Sequence, residues 1–203
     1  MKFISDILTK DDSIPSVKNH IEFYFDPLKS EIEKLQSEKS TKSLKHVLQQ
    51  AALLYKLEKC DLLKNNICYI ELGAGKGGLT EKIAEHYPNA SFILVDRATV
   101  RQKKEKQFIN DGRNGFERVK GDIANLALEQ LPVETAKVCI AKHLCGEATD
   151  LAIRGSIRAK NLCGLVIARF VQRSNFQLLV EILVKNRNFG QKSKFWSKIE
   201  ILV

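Results

Sequence analysis

The chain has 203 residues, enough for one domain with a real hydrophobic core and a helical extension. With 44% hydrophobic and 28% charged residues it has an ordinary globular composition, and no apolar run approaches the roughly 20 residues of a membrane helix. A net charge of +9, from 33 basic and 24 acidic residues, is compatible with a polyanionic partner.

The five cysteines (Cys60, Cys68, Cys139, Cys145 and Cys163) form no C-x-x-C pair, so their spacing predicts no metal site. They read as small buried apolar residues. An odd count without an export signal predicts an intracellular reducing compartment, cytoplasmic or nuclear.

Residues 1–29 carry two punctuating prolines (Pro15, Pro27) and an aromatic run, Phe23, Tyr24 and Phe25, expected to dock on something larger. Residues 30–40 are highly charged and predict a solvated helix or linker. From Thr41 the apolar residues Leu44, Val47, Leu48, Ala51, Leu54 and Tyr55 recur at helical spacing, predicting an amphipathic helix to about Leu57. His46, Gln49 and Gln50 on it read as a polar face. Residues 1–62 are thus expected as a helical N-terminal extension.

Strand and helix patterns then alternate. The first strand, 67–72, runs through Glu71 into Gly73, Ala74, Gly75, Lys76, Gly77 and Gly78, where a helix begins that ends before Pro88. Glycine lacks Cβ, reaches positive φ and lets a ligand approach the backbone, while the helix start offers N–H groups. The second strand, 91–95, closes on Asp96, and a basic segment after it predicts a helix. The third, 116–120, ends at Gly121 and Asp122. A short helix is expected over 126–131, a fourth strand over 137–141, a helix over 148–159 and a fifth strand over 164–168. Near-continuous apolar strands between helices predict a parallel, doubly wound, Rossmann-like α/β sheet.

Ligands of such sheets sit at the carboxyl ends of the strands. Glu71, Asp96 and Asp122 occupy three successive strand ends, and Asp96 lies at the distance from the glycines expected of a ribose-binding carboxylate. Asp122, with Ile123 beside it, is placed to meet an adenine. A nicotinamide dinucleotide would also use the first two carboxylates. The third carboxylate and the alternating glycines favour S-adenosylmethionine. Any strand-end Asp also reads as a turn former or helix cap.

Two stretches carry a resemblance. Tyr69-Ile70-Glu71-Leu72-Gly73-Ala74-Gly75-Lys76-Gly77 and Ala141-Lys142-His143-Leu144-Cys145-Gly146, followed by Ala148-Thr149-Asp150-Leu151-Ala152, resemble the eukaryotic tRNA methyltransferase 13 family, as do Lys45-His46 and Gln49-Gln50-Ala51 upstream. That family 2′-O-methylates the nucleotide at position 4 of the tRNA acceptor stem. The resemblance implies a class I methyltransferase core over residues 63–168, with S-adenosylmethionine as cofactor and the tRNA acceptor stem as partner. It implies that Glu71, Gly73, Ala74, Gly75 and Gly77 hold the methionine part, Asp96 the ribose, and Asp122 and Ile123 the adenine. Lys142 and His143 would face the target ribose, His143 as a base and Lys142 on the developing alkoxide or a phosphate; simple phosphate or backbone contacts are an equal reading.

The family's zinc-binding Cys/His modules are not visible in this sequence. After Ala168 the resemblance stops, and residues 169–203 read as a divergent basic tail, with seven Lys/Arg against two Asp/Glu. Within it, 176–184 is compatible with helix or strand. The break predicts a shortened or alternatively spliced form whose sheet is incomplete at its C-terminal side, with an uncovered strand edge. Two other functions fit the same core: a class I methyltransferase acting on protein or small molecules, and a non-catalytic cofactor- or RNA-binding form.

Overall fold

The structure, a computed structural model, describes residues 26–38, 41–101, 103–132, 134–142, 144, 146–171, 177–185 and 196–202. The aromatic run Phe23 to Phe25 and the candidate base His143 lie outside the described residues. Two helices, α1 (Lys29–Ser37) and α2 (Thr41–Lys59), precede the alternating core. That core is β1 (Ile67–Leu72), α3 (Gly78–His86), β2 (Ser91–Asp96), α4 (Lys106–Asn110), β3 (Phe116–Lys120), β4 (Ala136–Lys142), α5 (Glu147–Arg158) and β5 (Leu162–Val171). Two further strands follow, β6 (Gln177–Lys185) and β7 (Trp196–Leu202).

Among the described residues seven strands join one sheet in the order β3-β2-β1-β4-β5-β6-β7. The first five are parallel, and β6 and β7 add as an antiparallel meander. The chain therefore has the doubly wound, Rossmann-like sheet expected from its strand pattern. The edge of β5 is not left open, because residues 164–171 pair with β6.

The period-two alternation of strand side chains splits the core into two layers. Tyr69, Phe92, Leu94, Val138, Ile140 and Val166 face a layer built by α1, α2 and α3. Cys68, Ile70, Ile93, Cys139, Leu165 and Ile167 face the other layer, with α5 and its neighbouring turns. In α2, Ala51, Leu53, Leu54 and Leu57 are fully buried. Each such leucine contributes about 1.5–3 kcal/mol of transfer free energy. The charged 30–40 stretch forms α1 and drives Ile32 into the same layer. Burial pushes the Cys68 thiol up and the Cys139 thiol up to about 12, so these two stay protonated apolar filler as expected, whereas Cys60 and Cys163 are only half-buried.

Two expected helices differ. The short helix expected over 126–131 is a single 3₁₀ turn, Leu128–Gln130, and a second such turn, Ile123–Asn125, precedes it. The Asp122 carboxylate caps the earlier turn by accepting from Ala124 N–H at 3.0 Å, and Pro132 ends a stretch too short to repay helix nucleation. The basic segment after β2 is helical only over Lys106–Asn110. Before it, Lys104 N–H donates to the Lys76 carbonyl at 2.8 Å, tying the backbone to the glycine turn.

Candidate cofactor cleft at the strand ends

The turn after β1 takes its shape from glycines at alternate positions: Gly73, Gly75 and Gly77 have φ of +69°, +51° and +79°. At Gly77 a Cβ would lie 2.8 Å from Leu94 Cδ2 and 3.2 Å from Glu105 Oε2, so neither the dihedral nor the space admits another residue. At Gly75 a Cβ would meet nothing within 4 Å, because this glycine faces open space. A cleft of about 740 Å³ lies above the turn, of the size that takes a small organic ligand. Glu71, Gly73, Ala74, Gly75 and Lys142 line it. Five of the ten residues singled out from the sequence thus meet at one opening.

Of the other five, His143 lies outside the described residues, and Gly77 and Asp96 support the turn. The Asp96 carboxylate accepts from Gly75 N–H at 2.7 Å and, through its other oxygen, from Ala98 N–H at 2.8 Å. Two of its roughly four acceptor sites remain for a ligand's hydroxyls. Gly77 is packed behind the turn and N-caps α3 in the left-handed conformation. Asp122 sits one residue past Gly121, whose N–H donates to the Asp96 carbonyl at 3.1 Å, so the two carboxylates stand at neighbouring strand ends. Asp122 and its neighbour Ile123 do not line the cleft, and Ile123 packs on the α5 layer.

Glu71 is 3% exposed, and its Oε2 accepts from Thr80 N–H at 3.1 Å and from Thr80 Oγ1 at 2.6 Å. Burial pushes its carboxyl up to about 7, against those hydrogen bonds and the nearby charges of Lys142 and Arg118. Burial also lowers the Lys142 ammonium below the usual lysine range, opposed by the charge of Glu71. A raised native pKa means that the folded chain holds the Glu71 proton more tightly than the unfolded chain does. Stability from this group is therefore full below about pH 4.5 and is lost as pH rises through about 7. Urea denaturation should show this decline, at most about 3 kcal/mol, in the parent chain and a flatter profile in Glu71→Gln. Identical profiles across this range would show that Glu71 does not titrate there.

Two residues that sequence reasoning passed over build the site. Arg118, at the centre of β3, donates Nη1–H to the Gly75 carbonyl at 2.9 Å. Its other nitrogens fork onto Glu105, Nε to Oε1 at 2.5 Å and Nη2 to Oε2 at 2.9 Å, and Glu105 is itself 3% exposed. A charged pair in mid-strand is the only signal the sequence offered for it. Gln50, taken as part of a polar helix face, is instead buried and lines the cleft from α2.

Residues 48–195 match the methyltransferase TRM13 family, a span that continues past Ala168 through strand β6 and stops before β7. A mouse protein described as a "tRNA:m(4)X modification enzyme TRM13 homolog" is 40% identical over 119 residues, covering 55% of this chain and 24% of that protein. The tRNA:m(4)X modification enzyme TRM13 of Yarrowia lipolytica is 36% identical over 130 residues, covering 54% and 28%. The chain spans about a quarter of the length of these curated relatives. Among solved structures, a coclaurine N-methyltransferase aligns with a TM-score of 0.49 at 19% identity, over 63% of this chain and 38% of that one. With nearly three quarters of its length matched, this chain belongs to the methyltransferase TRM13 family.

Proposed function

We propose that the chain carries the catalytic core of an S-adenosylmethionine-dependent tRNA 2′-O-methyltransferase acting at position 4 of the acceptor stem. The observation that carries this reading is one cleft in which a glycine cradle, a buried carboxylate and a half-buried lysine converge. Family membership supplies the tRNA, and the resemblance of the Lys142–His143 stretch supplies the ribose. Such a substrate implies an intracellular setting, in cytoplasm or nucleus.

The residues present fit the cofactor. The open side of Gly75 lets a ligand lie against the backbone, Asp96 keeps acceptor capacity for a ribose diol, and the cleft volume is adequate. Bound there, S-adenosylmethionine supplies an electrophilic methyl group on a sulfonium. Glu71 and the glycine turn would hold its amino-acid end and Asp96 its ribose, with the adenine extending beyond the cleft lining toward Asp122 and Ile123 at the neighbouring strand end. Methyl transfer is an in-line displacement, so most of the catalysis comes from holding the target hydroxyl on the line of attack. Lys142 stands at the end of β4, across the register from Glu71, whose ladder partner is Ile140. Its ammonium, in a partly desolvated cleft, stabilises negative charge on the ribose oxygen as the hydroxyl proton passes to a base, the role that the resemblance gives to His143.

The test is incubation with unmodified tRNA and methyl-labelled S-adenosylmethionine, followed by digestion and nucleoside analysis. The expected product is one 2′-O-methyl nucleotide at position 4. Label on a base or on protein, or cofactor binding without transfer, would overturn the assignment.

A further inference from the structure

The first half of α2 lines the cleft through His46, Val47 and Gln50, and Gln50 is the buried polar residue of the three. It is 8% exposed and lines the opening, yet among the described residues none hydrogen-bonds to its amide. Its amide atoms are not among those sealed from water, so the amide stays open to the cleft and available to a ligand there.

The neighbouring backbone makes room for it. A Cβ at Gly78 would lie 2.9 Å from Gln50 Nε2, so only glycine at this position lets the amide rest on the mouth of α3. At that mouth Thr80 N–H is taken by Glu71, and Glu81 N–H by the Gly77 carbonyl. Gly78 and Leu79 N–H have no intrahelical acceptor, and Gly77 offers no side-chain cap. A short arc of the cleft thus presents an amide N–H and the positive end of a nine-residue helix. Glu71 and Glu81 stand on the same cleft. Donors for a carboxylate beside acceptors for an ammonium suit a zwitterionic amino-acid group.

We propose that Gln50 reads the amino-acid end of the cofactor, donating Nε2–H to its carboxylate alongside the first N–H groups of α3. The assignment rests on the cofactor reading given above and adds to it a contact from a helix outside the glycine turn.

Two ligands separate this role from general packing. S-adenosylhomocysteine carries the amino-acid end, whereas 5′-methylthioadenosine has the same adenosine and sulfur without it. By calorimetry, Gln50→Met should bind S-adenosylhomocysteine about tenfold more weakly, the effect of one lost hydrogen bond, and methylthioadenosine as before. Its melting temperature should be unchanged or higher, because methionine fills the site without an unpartnered amide. Gly78→Ala, which pushes the amide aside from another residue, should show the same selective loss. Unchanged S-adenosylhomocysteine affinity in Gln50→Met, or equal weakening for both ligands, would overturn the role of Gln50 alone. A parent chain that binds neither ligand would overturn the cofactor reading and this contact with it.

Discussion

Arg118→Leu is expected to cost about 3–5 kcal/mol of stability, the range for removing one partner of a buried ion pair. The Arg118 and Glu105 side chains are 14% and 4% exposed, so the pair lies almost wholly out of water. Leucine would leave the Glu105 carboxylate buried without its cation and the Gly75 carbonyl without its donor. A double variant, Arg118→Leu with Glu105→Met, should recover most of the loss, since apolar side chains of similar size carry no desolvation penalty. The double variant should still bind S-adenosylhomocysteine weakly, because the glycine turn remains unbraced. Urea denaturation of the parent, single and double variants, paired with calorimetry, reads both effects. A single-variant loss below about 1 kcal/mol would mean that water reaches the pair and that it is worth no more than a surface bridge.

Lys142→Met should lower the rate of methyl transfer about 100- to 1000-fold, the range seen when one preorganised charge stabiliser is removed. S-adenosylhomocysteine affinity should change little, because the lysine is assigned to the target oxygen and not to the cofactor. The loss should therefore appear in kcat. Lys142→Arg discriminates its chemistry. Arginine keeps the charge at every accessible pH, so partial rescue fits a lysine that stabilises the alkoxide, and no rescue fits one that accepts the hydroxyl proton. A Lys142→Met rate close to that of the parent would remove Lys142 from the reaction.

The elements of the sheet were legible because their signals are local. Ile67 to Leu72 and Phe92 to Val95 are buried on both faces and read as apolar runs. The glycine turn and the strand-end carboxylates were legible because spacing alone defines them. Arg118 and Gln50 were not. Arg118 sits on the edge strand β3, between Glu117 and Val119, where alternation looks like a solvated face. Only the folded approach of its guanidinium to Gly75 shows its task. Gln50 precedes Ala51 and Ala52 in a stripe that reads as polar because it contains glutamine. Its burial depends on Gly78, a residue of another helix. The helix expected after β2 starts only at Lys106 for a related reason: Lys104 and Glu105 are held by the glycine turn and by Arg118, tertiary contacts that helical propensity does not register.

The ladder around Glu71 also has a kinetic meaning. Glu71 pairs with Leu94 on one side and with Ile140 on the other. The first pairing closes a short loop, whereas the second must wait for β2, β3 and the turns between them to be traversed. Long closures are entropically slower to form, and parallel pairs cannot be made by a hairpin. During synthesis, the glycine turn can take shape against β2 while Lys142 is still absent, and the cleft closes only when β4 docks. The meander β5-β6-β7 has no such delay, being built from neighbours in sequence. Pulse-labelled amide exchange during refolding would accordingly find β1–β2 and β5–β6 protected before the β1–β4 seam on which the site depends.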